Sequence, residues 1–195
     1  MPDLVPFRVV AALAAAVSLV LGSCGKVEPR KFATDLTRLA PCEYDKPISF
    51  GSGGEGERLM LTGWSPPEPY FTWSDGIAAS LAIRLPPTDD VVQLHFKMAG
   101  MNVAKRLPFQ RVDLFVNSQK LARWQVADEN VFTVTVPDRF VSGPDALLVV
   151  DFYMPKSASP DQLGIGSDRR RLGVRLAELN ISSRPRPAAT GDAGQ

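Results

Sequence analysis

The sequence predicts an all-β protein, a single jelly-roll-like or immunoglobulin-like β-sandwich, with the jelly-roll arrangement preferred. Three observations lead there. Short segments alternate apolar and polar residues with a period of two. Pro, Gly and Asn-Ser signals punctuate them at short intervals. No segment holds a helical period for long, and none recurs at a fixed spacing, which excludes a repeat architecture.

The strands follow in order. Ile77, Ala79, Leu81, Ile83 and Leu85 share one face of the first, with Ala78, Ser80, Ala82 and Arg84 opposite, and Pro86-Pro87 stops it. Val92, Leu94, Phe96 and Met98 line one side of the next, with Gln93, His95 and Lys97 on the other. Val112, Leu114 and Val116 alternate with Arg111, Asp113 and Phe115. Asn117-Ser118 then turns the chain into Leu121 to Val126, which predicts a hairpin. Phe132, Val134 and Val136 form a further strand ended by Pro137. Ala146 to Met154 is apolar on both faces apart from Asp151, the pattern of a central strand covered on both sides. Leu172, Val174 and Leu176 give way to Leu179 and Ile181, a slip of phase that a bulge near Ala177-Glu178 explains.

The termini read differently. Arg8 precedes an apolar run from Val9 to Leu21. That run is shorter than the roughly 20 apolar residues a spanning helix needs, so residues 1–23 are expected to be a secretory signal. Leu21-Gly22-Ser23-Cys24 resembles the bacterial lipobox, and the resemblance implies a diacylglycerol on the Cys24 thiol and cleavage just before it. Residues 24–47 are expected to be lipid anchor and tether, 48–181 the sandwich, and 182–195, which lack any large apolar residue, a disordered tail. The expected location is the periplasmic face of a membrane. The outer membrane is favoured over the inner because Gly25, not an aspartate, follows Cys24.

Composition narrows the function classes. The 195 residues carry a formal net charge of +1, which offers no field for nucleic acid. With Cys24 assigned to lipid, Cys42 has no partner in the chain and is expected to be buried or to pair between chains. One histidine and no CxxC spacing argue against zinc, and no cofactor is implied. His95 lacks an activated-serine context, so no catalytic set is assigned and the protein is read as a non-enzyme.

Two segments exceed plain sandwich requirements. Gly63 to Gly76 places Trp64, Tyr70, Phe71 and Trp73 around Glu68 in a proline-rich loop. Ser159 to Gly173 is a long loop that carries Asp161, Asp168 and three consecutive arginines into the last strand. Gly63-Trp64, Glu68, Trp73-Ser74, Gly76 and Ala78, followed by Ser159-Pro160, Leu163-Gly164, Asp168, Arg170 and Leu172-Gly173, resemble a known pattern. It belongs to the C-terminal accessory domain, of unknown function, of periplasmic phosphoglycerol transferases and glycosyltransferase-associated envelope proteins. The resemblance covers about Ile48 to Ile181 and implies a β-sandwich in an envelope-glycan setting. It carries no transferase activity over, because the catalytic domain is lacking.

Candidate binding residues are Trp64, Glu68, Trp73, Phe115, Asp168 and Arg170. The tryptophans either stack on sugar rings or plug the end of the sandwich. Glu68 and Arg170 are expected to pair and pin the two loops together, with Asp168 shaping the turn before Leu172. Arg169 and Arg171 are expected to be solvated. Phe115, projecting among charged residues, marks with Gln93, His95 and Lys97 a second place for a sugar groove. The expected function is a membrane-anchored binding or accessory module for envelope glycans or the machinery that makes them. The alternative is a module that docks a membrane transferase through protein contacts. Two acyl chains are needed for stable anchoring, so Cys24→Ala is expected to abolish metabolic labelling of this protein by an acyl-chain probe and to block processing at that site. A wild-type chain that takes no label would remove the anchor.

Overall fold

A computed structural model describes residues 36, 38–143 and 146–186. The secretory signal, Cys24 and residues 187–195 of the expected tail lie outside the described residues. Among the described residues ten strands are present: β1 (Ile48–Ser49), β2 (Met60–Thr62), β3 (Thr72–Asp75), β4 (Ala78–Leu85), β5 (Val91–Gly100), β6 (Gln110–Val116), β7 (Gln119–Val126), β8 (Asn130–Thr135), β9 (Ala146–Tyr153) and β10 (Leu172–Arg184). A one-turn helix, α1 (Pro160–Leu163), and 3-10 turns at Glu55–Leu59 and Asp138–Phe140 complete the described elements.

The strands form two antiparallel sheets. One has the order β1-β10-β5-β8, with β3 also paired to β10, and the other the order β2-β4-β9-β6-β7. The four-strand runs 3-10-5-8 and 4-9-6-7 face each other across the core, which is jelly-roll connectivity rather than the immunoglobulin arrangement. The inward rows are those read from the alternation: Val92, Leu94, Phe96 and Met98 of β5, and Val112, Leu114 and Val116 of β6, are all fully buried. Each such side chain contributes on the order of 1.5–3 kcal/mol. A file of aromatic contacts crosses the sandwich. Trp64 meets Phe152 at 5.9 Å, Phe152 meets Phe96 at 5.2 Å, and Phe96 meets Trp124 at 6.2 Å between ring centroids. The first two are edge-to-face, the preferred geometry for ring pairs.

Local chemistry explains the connections. The β6–β7 turn places Asn117 at φ 46° and Ser118 at φ 66°, both in the left-handed region that a two-residue hairpin turn of the right twist requires. The Asn117 amide also donates to the Leu147 carbonyl and its oxygen accepts from the Val149 N–H, so the turn extends the pairing towards β9. In β10 the register against β5 shifts between Leu176 and Glu178, the bulge expected from the phase slip. The freed Ala177 carbonyl accepts from the Phe50 N–H at 2.9 Å.

Four expectations need correction. Ile77 is exposed, because β4 starts at Ala78 and Gly76, at φ 117°, turns the chain just before it. β9 is central, between β4 and β6, but its outward Leu147, Val149 and Asp151 are only half-buried and Tyr153 is exposed. One face of β9 packs on the core, so it alternates in burial although its composition does not. The tether ends before residue 47: Leu39 and Cys42 are buried, and the Cys42 N–H donates to Arg84 of β4 while the Asp45 N–H donates to Ile181 of β10. Residues 39–47 thereby stitch one sheet to the other. Burial pushes the Cys42 thiol up, against the opposing charge of Arg58. Finally, Ser182, Ser183 and Arg184 belong to β10 and not to a tail, since they complete the ladder with Gln93, Val92 and Val91.

Asp113 sits on the outward face of β6 with its side chain 8% exposed, held by Arg123 at 2.6 Å and Lys120 at 2.9 Å from the next strand. The hydrogen bond from Arg123, helped by Lys120, outweighs burial and holds this carboxyl well below the usual carboxylate range. A carboxyl depressed in the folded state stabilises fully above its ordinary value near ~3.9 and loses that contribution as pH falls through the depressed one. Asp113→Asn is therefore expected to lower stability at pH 7 and to flatten the decline of stability below about pH 4, measured by urea unfolding across pH. An unchanged acid slope would contradict the clamp.

Candidate functional site

Two regions collect polar and aromatic side chains: the loop end of the sandwich and the outer face of the β10 sheet. At the loop end, Gly63 has φ 74°, and a Cβ there would meet the Ala78 carbonyl oxygen at 2.0 Å, so only glycine lets this loop cross β4. Trp64, the next residue, is 1% exposed, and its Nε1–H donates to the Ser80 carbonyl at 2.8 Å. It plugs the core and presents no ring to a ligand. Thr72 to Asp75, expected as loop, is strand β3, paired to β10; the run is too short and too close to Pro66, Pro67 and Pro69 to show as a strand in the sequence.

Ser159 caps α1 with a complete capping box, its Oγ accepting from the Gln162 N–H, and Gly164 ends the turn at φ 67°. Asp168 and Arg170 follow. Asp168 accepts from the Arg170 backbone N–H at 2.9 Å and from its guanidinium at 2.7 Å. The same guanidinium lies 3.6 Å from Glu68, each side chain 36% exposed. The structure thus brings Glu68, Asp168 and Arg170 together, with Asp168 as the closer carboxylate. The Arg170 hydrogen bonds hold the Asp168 carboxyl below its ordinary value. Asp75 accepts from the Arg171 backbone N–H, and the Arg171 guanidinium donates to the Ser157 carbonyl, so Arg171 is tied down while Arg169 is solvated. These carboxylates are occupied in joining the two loops.

The outer face of the β10 sheet differs. A groove of about 450 Å³ runs over β8, β5 and β10. The ladder aligns its rows: Gln93 lies between Thr135 and Ser182, His95 between Thr133 and Asn180, and Lys97 between Val131 and Glu178. His95 Nδ1 is 2.9 Å from Thr133 Oγ1 and Nε2 is 2.8 Å from Ser182 Oγ, which fixes the ring. Both nitrogens meet hydroxyls, so this is not the carboxylate-oriented imidazole of a nucleophilic triad. At one end Arg184 makes a two-pronged pair with Asp45, at 2.8 and 3.0 Å. The Asn180 Oδ1 is buried with no hydrogen-bond partner among the described residues, an acceptor that costs free energy until a donor reaches it.

Phe115 is not part of this groove. It lies on β6, in the opposite sheet, among Lys120 and Asp151, because the chain crosses from one sheet to the other between β5 and β6. Trp73 is half-buried on β3 and stands edge-on to Phe71 at 6.0 Å; Tyr70 is 81% exposed at the loop tip. Asn180, Ser182, Thr133 and Arg184 went unnamed as candidates from the sequence. The one available signal was the polar face of the late strand after its phase slip, Glu178, Asn180, Ser182 and Arg184, which lines up with Gln93, His95 and Lys97 only once the two strands pair.

No family model and no curated protein matches the chain. Among solved structures, it is similar to the CBM22-1 xylan-binding domain of Xyn10C from Paenibacillus barcinonensis, at 12% identity and TM-score 0.46, over 76% of this chain and 100% of that one. It is also similar to the CBM36-1 domain of a multidomain xylanase from the hindgut metagenome of Trinervitermes trinervoides, at 9% identity and TM-score 0.40, over 72% of this chain and 98% of that one. A family 35 carbohydrate binding module from an environmental isolate matches at 11% identity and TM-score 0.35, over 75% and 92% of the two chains.

The half-exposed geometry of Glu68 and Arg170 sets the scale of their coupling. A solvated pair contributes about 0.2–1 kcal/mol, whereas a buried one would leave a charge stranded at about 3–5 kcal/mol. A double-mutant cycle with Glu68→Gln and Arg170→Gln, read by urea unfolding, is expected to return the smaller value. A coupling above 2 kcal/mol, on the order of a buried pair's, would show that the loops close more tightly than this.

Proposed function

We propose that this chain is a non-catalytic glycan-binding module, held at a membrane by lipid on Cys24, that serves envelope glycans or the machinery that makes them. The groove over β5, β8 and β10 carries this reading. Its floor presents hydroxyl, amide and imidazole groups in register, and a hydroxyl-rich ligand exchanges hydrogen bonds with such groups at little desolvation cost. The motif resemblance supports the envelope setting, and the lipobox supports the anchor. Burial of Trp64 removes one stacking platform from the early loop, yet Tyr70, Phe71 and Trp73 keep exposed area, so the loop end does not turn into a closed plug.

The test is calorimetric titration of the full chain in detergent with laminarihexaose, cellohexaose and xylohexaose, beside the variants His95→Ala and Asn180→Ala. Asn180→Ala removes one hydrogen bond to the ligand, about 1 kcal/mol, and is expected to weaken binding about fivefold. His95→Ala releases the Thr133 and Ser182 hydroxyls that its ring orients, and is expected to weaken binding by a similar factor while also lowering the unfolding midpoint. If none of the three saccharides binds at millimolar concentration, the glycan reading falls and docking to a protein becomes the better account.

A further inference from the structure

The groove does not stop at Lys97. On β5 the outward positions continue to Ala99, which lines a second hollow of about 290 Å³ together with Trp73, Arg175 and Glu129. The ladder places Ala99, Arg175 and Trp73 in one row across β5, β10 and β3. Arg175 and Glu178 can both face outward only because the bulge at Ala177 inserts one residue between them. Without it, alternation would turn one of the two into the core. The bulge therefore joins the two hollows into one surface.

The cations along this surface all have carboxylates beside them. Glu129 bridges the hollows, 3.5 Å from Lys97 on one side and 3.7 Å from Arg175 on the other. Arg184 is paired with Asp45, and Glu178 sits opposite Lys97 in the ladder. Three cations thus face four carboxylates, the exposed Asp128 beside Glu129 being the fourth, which leaves no positive field for an anionic polymer. At the far end the Arg175 guanidinium lies 4.9 Å over the Phe71 ring, and Phe71 packs edge-on against Trp73. Those contacts hold the indole in place as a preformed aromatic wall.

Building on the glycan-binding reading, we propose that the site is one continuous track from Arg184 to Trp73 that takes several consecutive units of an uncharged glycan chain lying along the strands, with Trp73 as the stacking platform at one end. From Gln93 to Ala99 alone the track runs about 20 Å at the rise of a strand, longer than a single sugar ring. Stacking at Trp73 supplies apolar contact, while the His95 row supplies hydroxyl hydrogen bonds.

Chain length and charge decide it. The full chain in detergent is titrated with laminarihexaose and cellohexaose, with the matching disaccharides, and with a heparin hexasaccharide. A neutral hexasaccharide is expected to bind at least tenfold more tightly than its disaccharide, and Trp73→Ala is expected to erase that gain while leaving disaccharide affinity in place. Glu129→Ala, on the solvent face and away from the core, keeps the test decisive should Trp73→Ala fold poorly; it is expected to weaken the hexasaccharide at least threefold and the disaccharide not at all. If hexasaccharide and disaccharide bind alike and His95→Ala weakens both, the track is overturned and the glycan site at His95 stands. Tighter binding of the heparin hexasaccharide than of either neutral one also overturns it. If no saccharide binds, the glycan reading and the track fall together.

Discussion

β10 is a single strand of 13 residues that pairs with β5 along one edge and with both β1 and β3 along the other. Its bulge at Ala177 sets the phase of this sheet's longest strand. N-terminal to Ala177 the core residues are Val174 and Leu176, and beyond it they are Leu179 and Ile181. A regular strand of this length would have turned one of those groups to solvent, since the side-chain period is two. The extra residue re-phases the strand, keeps both halves of the core apolar, and bends the ladder where the Ala177 carbonyl is taken by Phe50. The same slip decides which polar residues face out, so core packing and the composition of the groove are one constraint seen from two sides.

Packing of the two sheets depends on rings that the chain brings from distant segments. Trp64 comes from a loop, Phe152 from β9 and Phe96 from β5, and their edge-to-face contacts lock the sheets at a fixed separation. Trp64 also satisfies its indole N–H on a strand carbonyl, which is what a buried tryptophan requires. The proline-rich loop is thereby anchored at its start, and its later aromatics, Tyr70, Phe71 and Trp73, are carried out to the rim. One loop so divides its rings between stability and surface.

The two carboxylate clusters divide in a similar way. Asp168, Glu68 and Asp75 spend their oxygens on Arg170 and on a backbone N–H, closing the loop end. The groove instead keeps amides, hydroxyls and an imidazole at its centre and confines its charges to pairs at the ends. The strap of residues 39–47 belongs to this surface as well, because it delivers Asp45 to Arg184 after stitching β4 to β10.

Alternation and turn chemistry determined the buried rows of β5 and β6, the Asn117-Ser118 hairpin and the bulge, because both are local properties of the chain, while they misplaced Ile77 and the outward face of β9. The pairing of the Glu68 and Arg170 loops was legible too, from the residue types that those segments concentrate. The tertiary structure decided the rest. Phe115 and His95 both project from polar strand faces, and nothing local tells which sheet each strand joins, so the jelly-roll order is what separates them. Trp64 and Trp73 sit in one loop with equal claims as platforms, and only the position of the loop over β4 buries the first. Residues 39–47 lack a strand signature, yet the open edges of β4 and β10 offer them partners. Asn180 and Ser182 became groove residues through a ladder that joins positions far apart in the chain, and long-range pairing of that kind leaves no mark on either segment alone.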